Sequence, residues 1–214
     1  MVYHTSMDND ITKGQGILSG KAIEECVQNG LIQISPFNVS QLNPASYDLT
    51  LGEGVRVYED VNYFSKKDPV GLGGSEIHPV GHLHTGYLDS KKSNSTVSFK
   101  IGPKGWLLRP GVGYLMHTVE TVKTDHFVPV IDGKSSIGRL FTLVHYTAGY
   151  VDPGFSGQYT LEVSVLHPTI VYAGQRVGQL RFHTISGKVD LYKGHYSGST
   201  AVGAVASHAY EQFE

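Results

Sequence analysis

The chain contains one cysteine, Cys26, in 214 residues. An internal disulfide is therefore excluded, which fits a reducing compartment. So are paired-thiolate zinc modules and the zinc-dependent nucleobase deaminases, whose metal takes at least two thiolates. Neither sign of charge dominates. Seventeen Lys+Arg against nineteen Asp+Glu leave a net charge of −2, so no broad cationic surface is on offer for a nucleic acid polymer. No apolar run nears the roughly 18 residues of a membrane span. The first sixteen residues are polar, with Asp8 and Asp10 and no apolar stretch of a secretory signal. A cytoplasmic location and a small-molecule or protein partner are the expectation.

What is abundant is glycine: 26 residues, scattered among 9 prolines. Scattered turn formers between short β-branched and aromatic runs predict an all-β chain. One helix stands out, with Ser19 as its cap, Ala22, Ile23, Cys26 and Val27 on one face and Gly30 at its end. After it the apolar period drops to two. Tyr47, Leu49 and Leu51 alternate with polar residues, as do Val55 and Val57, then Val97, Phe99 and Ile101, then Tyr159, Leu161 and Val163. Residues 177–182 read as a further strand, and 66–86 as a long irregular excursion. The expected organisation is a polar extension over 1–16, one β-rich domain over 17–192 and a mobile C-terminal flap over 193–214. Small residues between Gly194 and Ser207 bury little apolar area, which fits a frayed terminus. It fits equally a glycine-rich flap whose amides approach an anion.

The segment from Asp132 to Glu162 carries the chemistry. Gly133-Lys134-Ser135-Ser136-Ile137-Gly138-Arg139 offers hydroxyls, amides and two cations, as a phosphate cradle or as a capped turn opening a short helix. Its spacing is not that of a P-loop. Thr147-Ala148-Gly149-Tyr150-Val151-Asp152-Pro153-Gly154-Phe155-Ser156-Gly157 follows, and then Glu162. Alternation puts Glu162 opposite Leu161 and Val163. A carboxylate there either faces water or serves as a general acid/base on a rigid element.

These motifs, with Gly174-Gln175-Arg176-Val177-Gly178-Gln179-Leu180 downstream and Ala45-Ser46-Tyr47-Asp48-Leu49-Thr50-Leu51-Gly52 upstream, occur in the order found in the dCTP deaminase family. The chain resembles that family, part of the trimeric dUTPase superfamily, over nearly its whole length. The likeness is weakest between about Asp60 and Leu107.

The resemblance implies a distorted β-barrel or jelly-roll-like dUTPase-type fold. Its assembly would be a homotrimer, or a hexamer of two trimers, with sites between subunits. It implies zinc-free hydrolysis of dCTP to dUTP and ammonia, with Glu162 taking a proton from the water that attacks C4. Ser135, Arg139 and the Ala148 carbonyl would orient that water and the tetrahedral intermediate. Asp152 would receive the 3′-hydroxyl and Phe155 would lie against the deoxyribose. Lys134, Ser136 and Gln179 would contact phosphate, joined by His195 of the tail; Tyr196 would pack on the nucleoside, and Tyr192 and Ser199 would also bind substrate. Mg²⁺ would sit on the triphosphate rather than on a protein cage. Thr147-Ala148-Gly149-Tyr150 followed by Val151-Asp152-Pro153-Gly154 is closer to the bifunctional branch, which carries dCTP through to dUMP and pyrophosphate. A non-catalytic nucleotide-binding module is the alternative from another class.

Lys134 stands where many members have arginine, and His195-Tyr196 replaces a Lys-Tyr pair. His78, His82 and His84 could invite a metal reading, but no carboxylate or thiolate completes a site with them and they read as a solvated loop. Trp106 reads as core or subunit interface.

Overall fold

Period-two alternation builds the strands, and burial follows the chemistry of each side chain. The computed structural model describes residues 14–59, 63–65, 78–80, 87–194, 196 and 203–213. In β11 (Ser156–Val165) Gly157, Tyr159, Leu161, Val163 and Val165 are buried, while Gln158, Thr160 and Glu162 share the opposite face. That strand belongs to a nine-stranded sheet curled into a nearly closed, distorted barrel. Its main path runs from β10 (Thr142–Leu143) through β11, β8 (Tyr114–Lys123), β3 (Ser46–Tyr58) and β13 (Arg176–Thr184) to β9 (Phe127–Gly133). Three shorter strands attach to it: β1 (Gln33–Ser35) to β8, and β2 (Leu42–Asn43) and β6 (Thr96–Lys100) to β3. Two small ribbons pair β4 (Tyr63–Ser65) with β5 (His78–Val80), and β7 (Trp106–Leu108) with β12 (Thr169–Val171). The expected mainly-β fold is what the chain adopts.

The expected helix spans Gly20–Gln28. Ser19 Oγ accepts the Ala22 amide at 3.2 Å, and Gly20, Ile23 and Cys26 form its buried stripe. Gly30, at φ +75°, turns the chain away from it. Ile23 and Cys26 join one core with Tyr47, Leu49, Leu51, Met116, Leu161, Leu180 and Phe182, none more than 1 % exposed. Burial pushes the Cys26 thiol up to about 11, with a smaller push from neighbouring Glu25. Trp106 is part of this core, its ring 5.3 Å from that of Phe99. Among the described residues, no helix is long and apolar enough to cross a membrane.

β3 holds the barrel together by changing partners along its length. Residues 47–50 pair with β13 and 54–58 with β6, while β8 pairs with residues 51, 55 and 56. The register shift between Leu51 and Val55 is built around the buried His117 ring. A Cβ on Gly52 would lie 2.1 Å from that ring, so only glycine leaves it room. His117 Nε2 accepts the Gly54 amide at 3.1 Å, so its Nδ1–H is the donor to the Thr118 carbonyl at 2.9 Å.

Candidate active site

Strand alternation sends Glu162 away from the core and into a cavity of about 340 Å³. Its Oε2 accepts the Tyr146 amide at 3.0 Å, which orients the carboxyl group. Five other expected site residues line the same cavity: Ala148, Asp152, Phe155, Tyr192 and Tyr196.

Backbone bonds to β9, and to Thr124 just after β8, hold the segment that carries Ala148, Asp152 and Phe155. Ile131 donates to the Gly149 carbonyl at 2.7 Å and Val151 to Pro129 at 3.0 Å, lacing the 147–152 segment along β9. A Cβ on Gly149 would meet the Ile131 carbonyl at 2.6 Å, so glycine is needed for that approach. The turn then closes with Gly154, at φ +90°, donating to Thr124 at 2.8 Å. Phe155 stacks on Tyr159 with ring centroids 5.6 Å apart and meets Tyr192 at 6.2 Å. The apolar wall is thus held by ring contacts, and Tyr192 is tied by its amide to the Pro153 carbonyl at 2.8 Å.

A second group of expected residues gathers elsewhere. Ser135 and Ser136 open a short helix, Ser135–Gly138, that is followed by Arg139. All three side chains are exposed, and none lines the Glu162 cavity. Leu140, Phe141, Leu143 and Leu166 beside them are each at least 50 % exposed. Gln179 is half-buried, accepting from Ser46 Oγ at 3.0 Å and donating to the Gly133 carbonyl at 3.2 Å.

Lys134 is likewise committed to the fold. Its Nζ lies 2.8 Å from both oxygens of Asp48, which is 2 % exposed and also takes the Asn43 amide at 2.8 Å. Arg176 Nη1 approaches the same carboxylate at 3.5 Å. Beside it Glu120, 1 % exposed, accepts from the Gln41 side chain at 2.8 Å and the Thr50 amide at 2.9 Å. The ammonium that the resemblance assigns to phosphate is held by a buried carboxylate. Lys134→Met should cost about 2–4 kcal/mol of stability in urea unfolding, because Arg176 alone is left to offset the Asp48 charge. A cost below about 0.5 kcal/mol, the size of an ordinary surface substitution, would show that Asp48 does not depend on Lys134.

A family model described as dCTP deaminase-like matches residues 17–185. The chain belongs to that family. A protein named "dCTP deaminase, dUMP-forming" from Leptospira biflexa serovar Patoc is 38% identical over 199 residues, covering 92% of this chain and 98% of its own. One of the same name from Hathewaya histolytica is 36% identical over 187 residues, covering 87% and 94%. Among solved structures, 2′-deoxycytidine 5′-triphosphate deaminase from Agrobacterium tumefaciens superposes with a TM-score of 0.52 at 22% identity. That match covers 79% of this chain but 48% of the other, and it speaks to the fold alone.

His195 and Ser199, expected substrate contacts, lie outside the described residues, as do His82 and His84. Sequence reasoning missed other polar residues of the cavity wall, among them Tyr58, Gln158 and Thr160. Gln158 and Thr160 carried a signal, since they precede Glu162 by four and two residues on one face of β11. Tyr58 carried none, because it reaches the cavity from the end of β3, about a hundred residues earlier in the chain.

Proposed function

We propose that this chain is a dCTP deaminase of the dUMP-forming kind. It would hydrolyse the C4–N4 bond of dCTP, and a second water would then add to the α-phosphorus of the bound uracil nucleotide, releasing pyrophosphate and leaving dUMP. The observation that carries the reading is Glu162, a carboxylate on a rigid strand opening into a cavity shared with Asp152 and Phe155. The names of the relatives favour dUMP over the dUTP first expected as the product.

In the first step Glu162 takes a proton from water as its oxygen bonds to C4. The proton then goes to N3, and a second transfer lets the C4–N4 bond break with release of ammonia. The Tyr146 amide holds Glu162 Oε2, leaving the other carboxylate oxygen to face the water. The Ala148 carbonyl is an acceptor able to orient that water, and Asp152 an acceptor for the 3′-hydroxyl. Phe155, held by ring contacts with Tyr159 and Tyr192, would lie against the deoxyribose and leave little room for a 2′-hydroxyl.

Among the described residues no group of three His, Cys, Asp or Glu side chains could cage a metal. Mg²⁺ would be carried by the triphosphate oxygens, where it would neutralise phosphate charge. Ser135 and Arg139 would complete the site of a neighbouring copy in a homotrimer. Their exposure, away from their own chain's cavity and beside an apolar patch, supports this reading.

The direct test is incubation with dCTP and Mg²⁺, with ammonia, dUTP, dUMP and pyrophosphate measured separately. Equal amounts of ammonia, dUMP and pyrophosphate are expected. Accumulating dUTP would mean that deamination is the only reaction, and untouched dCTP would leave a binding module. A zinc-selective chelator should not change the rate, whereas removing Mg²⁺ should lower it. A rate that zinc restores after chelation would refute Glu162 as sole activator of the water.

A further inference from the structure

The end of the chain, beyond the span matched by the family model, forms part of the Glu162 cavity. Val205, Ala206 and Ser207 line it. Their segment is held through backbone amides donated to side-chain oxygens, not through a strand ladder. Gly203 N–H donates to Gln158 Oε1 at 3.2 Å and Val205 N–H to Thr160 Oγ1 at 3.0 Å. Ser207 N–H donates to the Tyr58 hydroxyl and His208 N–H to the Tyr196 hydroxyl, both at 3.0 Å. All four acceptors line the same cavity.

The local chemistry is consistent around each bond. Gln158 donates its own amide to the Val119 carbonyl at 3.1 Å, which leaves its carbonyl oxygen for Gly203. Gly203 has φ +122°, a conformation that favours glycine, and the next residue, Ala204, is buried. Beyond the track, the His208 ring meets Tyr196 edge-on at 5.3 Å and pairs with Glu211 at 2.7 Å. Ser207 Oγ then accepts the Ala209 amide at 3.2 Å, at the start of a terminal 3₁₀ turn, Ala209–Phe213.

We propose that Gln158, Thr160, Tyr58 and Tyr196 are positioning residues. Their oxygens form an acceptor track that seats residues 203–208 as a wall of the Glu162 cavity, holding the nucleoside end of the substrate against Glu162. This rests on the deaminase reading for the identity of the substrate, but the seating itself does not. Thr160 and Glu162 are two residues apart on one strand face, about 7 Å, so seating Val205 places the wall beside the carboxylate. Side-chain acceptors also let the segment dock and release without opening any ladder of the barrel, so it should unfold locally before the sheet does.

The test uses the full-length protein. Amide hydrogen exchange of residues 203–208 is followed by mass spectrometry without nucleotide, for Thr160→Val, Thr160→Ser and Val205→Pro. Thr160→Val removes the acceptor and Val205→Pro removes the donor from the other side, outside the barrel. Both should raise exchange of the remaining amides about tenfold, the scale of one hydrogen bond. Thr160→Ser, which keeps the hydroxyl, should restore protection. Thr160→Val and Val205→Pro should also raise KM for dCTP more than they lower kcat. Unchanged exchange in either variant, or a serine variant that exchanges like the valine one, would overturn the track. Faster exchange with an unchanged KM would overturn its role toward substrate. A parent protein inert toward dCTP would refute the deaminase reading instead, because exchange is read without substrate.

Discussion

Glu162→Gln should abolish deamination, with ammonia release falling at least about a hundredfold, the lower end of what a positioned general acid/base contributes. The amide keeps the size of the carboxyl group, and its carbonyl oxygen can still accept the Tyr146 amide. What it loses is the capacity to take a proton from water and return it to N3. Nucleotide binding, measured by calorimetry, and the thermal unfolding midpoint should stay near those of the parent. That split between rate and binding separates a chemical role from a structural one. Turnover within tenfold of the parent would remove Glu162 from the reaction.

Mixing two inactive variants should bring activity back. In the proposed trimer one copy supplies Glu162 and its neighbour supplies Ser135 and Arg139, so Glu162→Gln and Arg139→Ala break each site from opposite sides. Each variant alone should be nearly inactive. When the two are unfolded together in equal amounts and refolded, a site works only if its Glu162 comes from one variant and its Arg139 from the other. Random closed assembly gives that combination at about a quarter of the sites, so about a quarter of the parental activity should return. Sites contained within single chains would give no recovery, and that result would sink the shared-site reading.

The two parts of the site differed in how legible they were in the sequence. Glu162 was readable because a strand turns by a half-rotation per residue, so its flanking leucine and valine set its direction. In the segment from Ala148 to Phe155 the ordered motif was readable, and its Gly149 and Gly154 stand where the backbone needs a close approach or a positive φ. The tail was less legible. Its small residues promise little burial by themselves, yet Ala204 is buried and neighbouring amides are satisfied by side chains of β3 and β11. That stability comes from the partner surface, which the tail's own composition does not reveal.

Several features of the protein follow from its sequence alone. One cysteine rules out a paired-thiolate zinc site, alternation imposes strands, Ser19 and Gly30 bound the helix, and ordered motifs mark the family. These are local properties, set by spacing over a few residues or by the presence of a residue type. Tertiary structure alone decided which of those residues meet. Lys134 and Asp48 are 86 residues apart and are joined through the pairing of β3 and β9 with β13. Glu162 and Arg139 are only 23 residues apart, yet Arg139 does not line the Glu162 cavity of its own chain. The physical reason is register. A strand fixes which face a side chain occupies, but hydrogen bonding between strands determines its neighbours, and a shift of one residue would exchange them all.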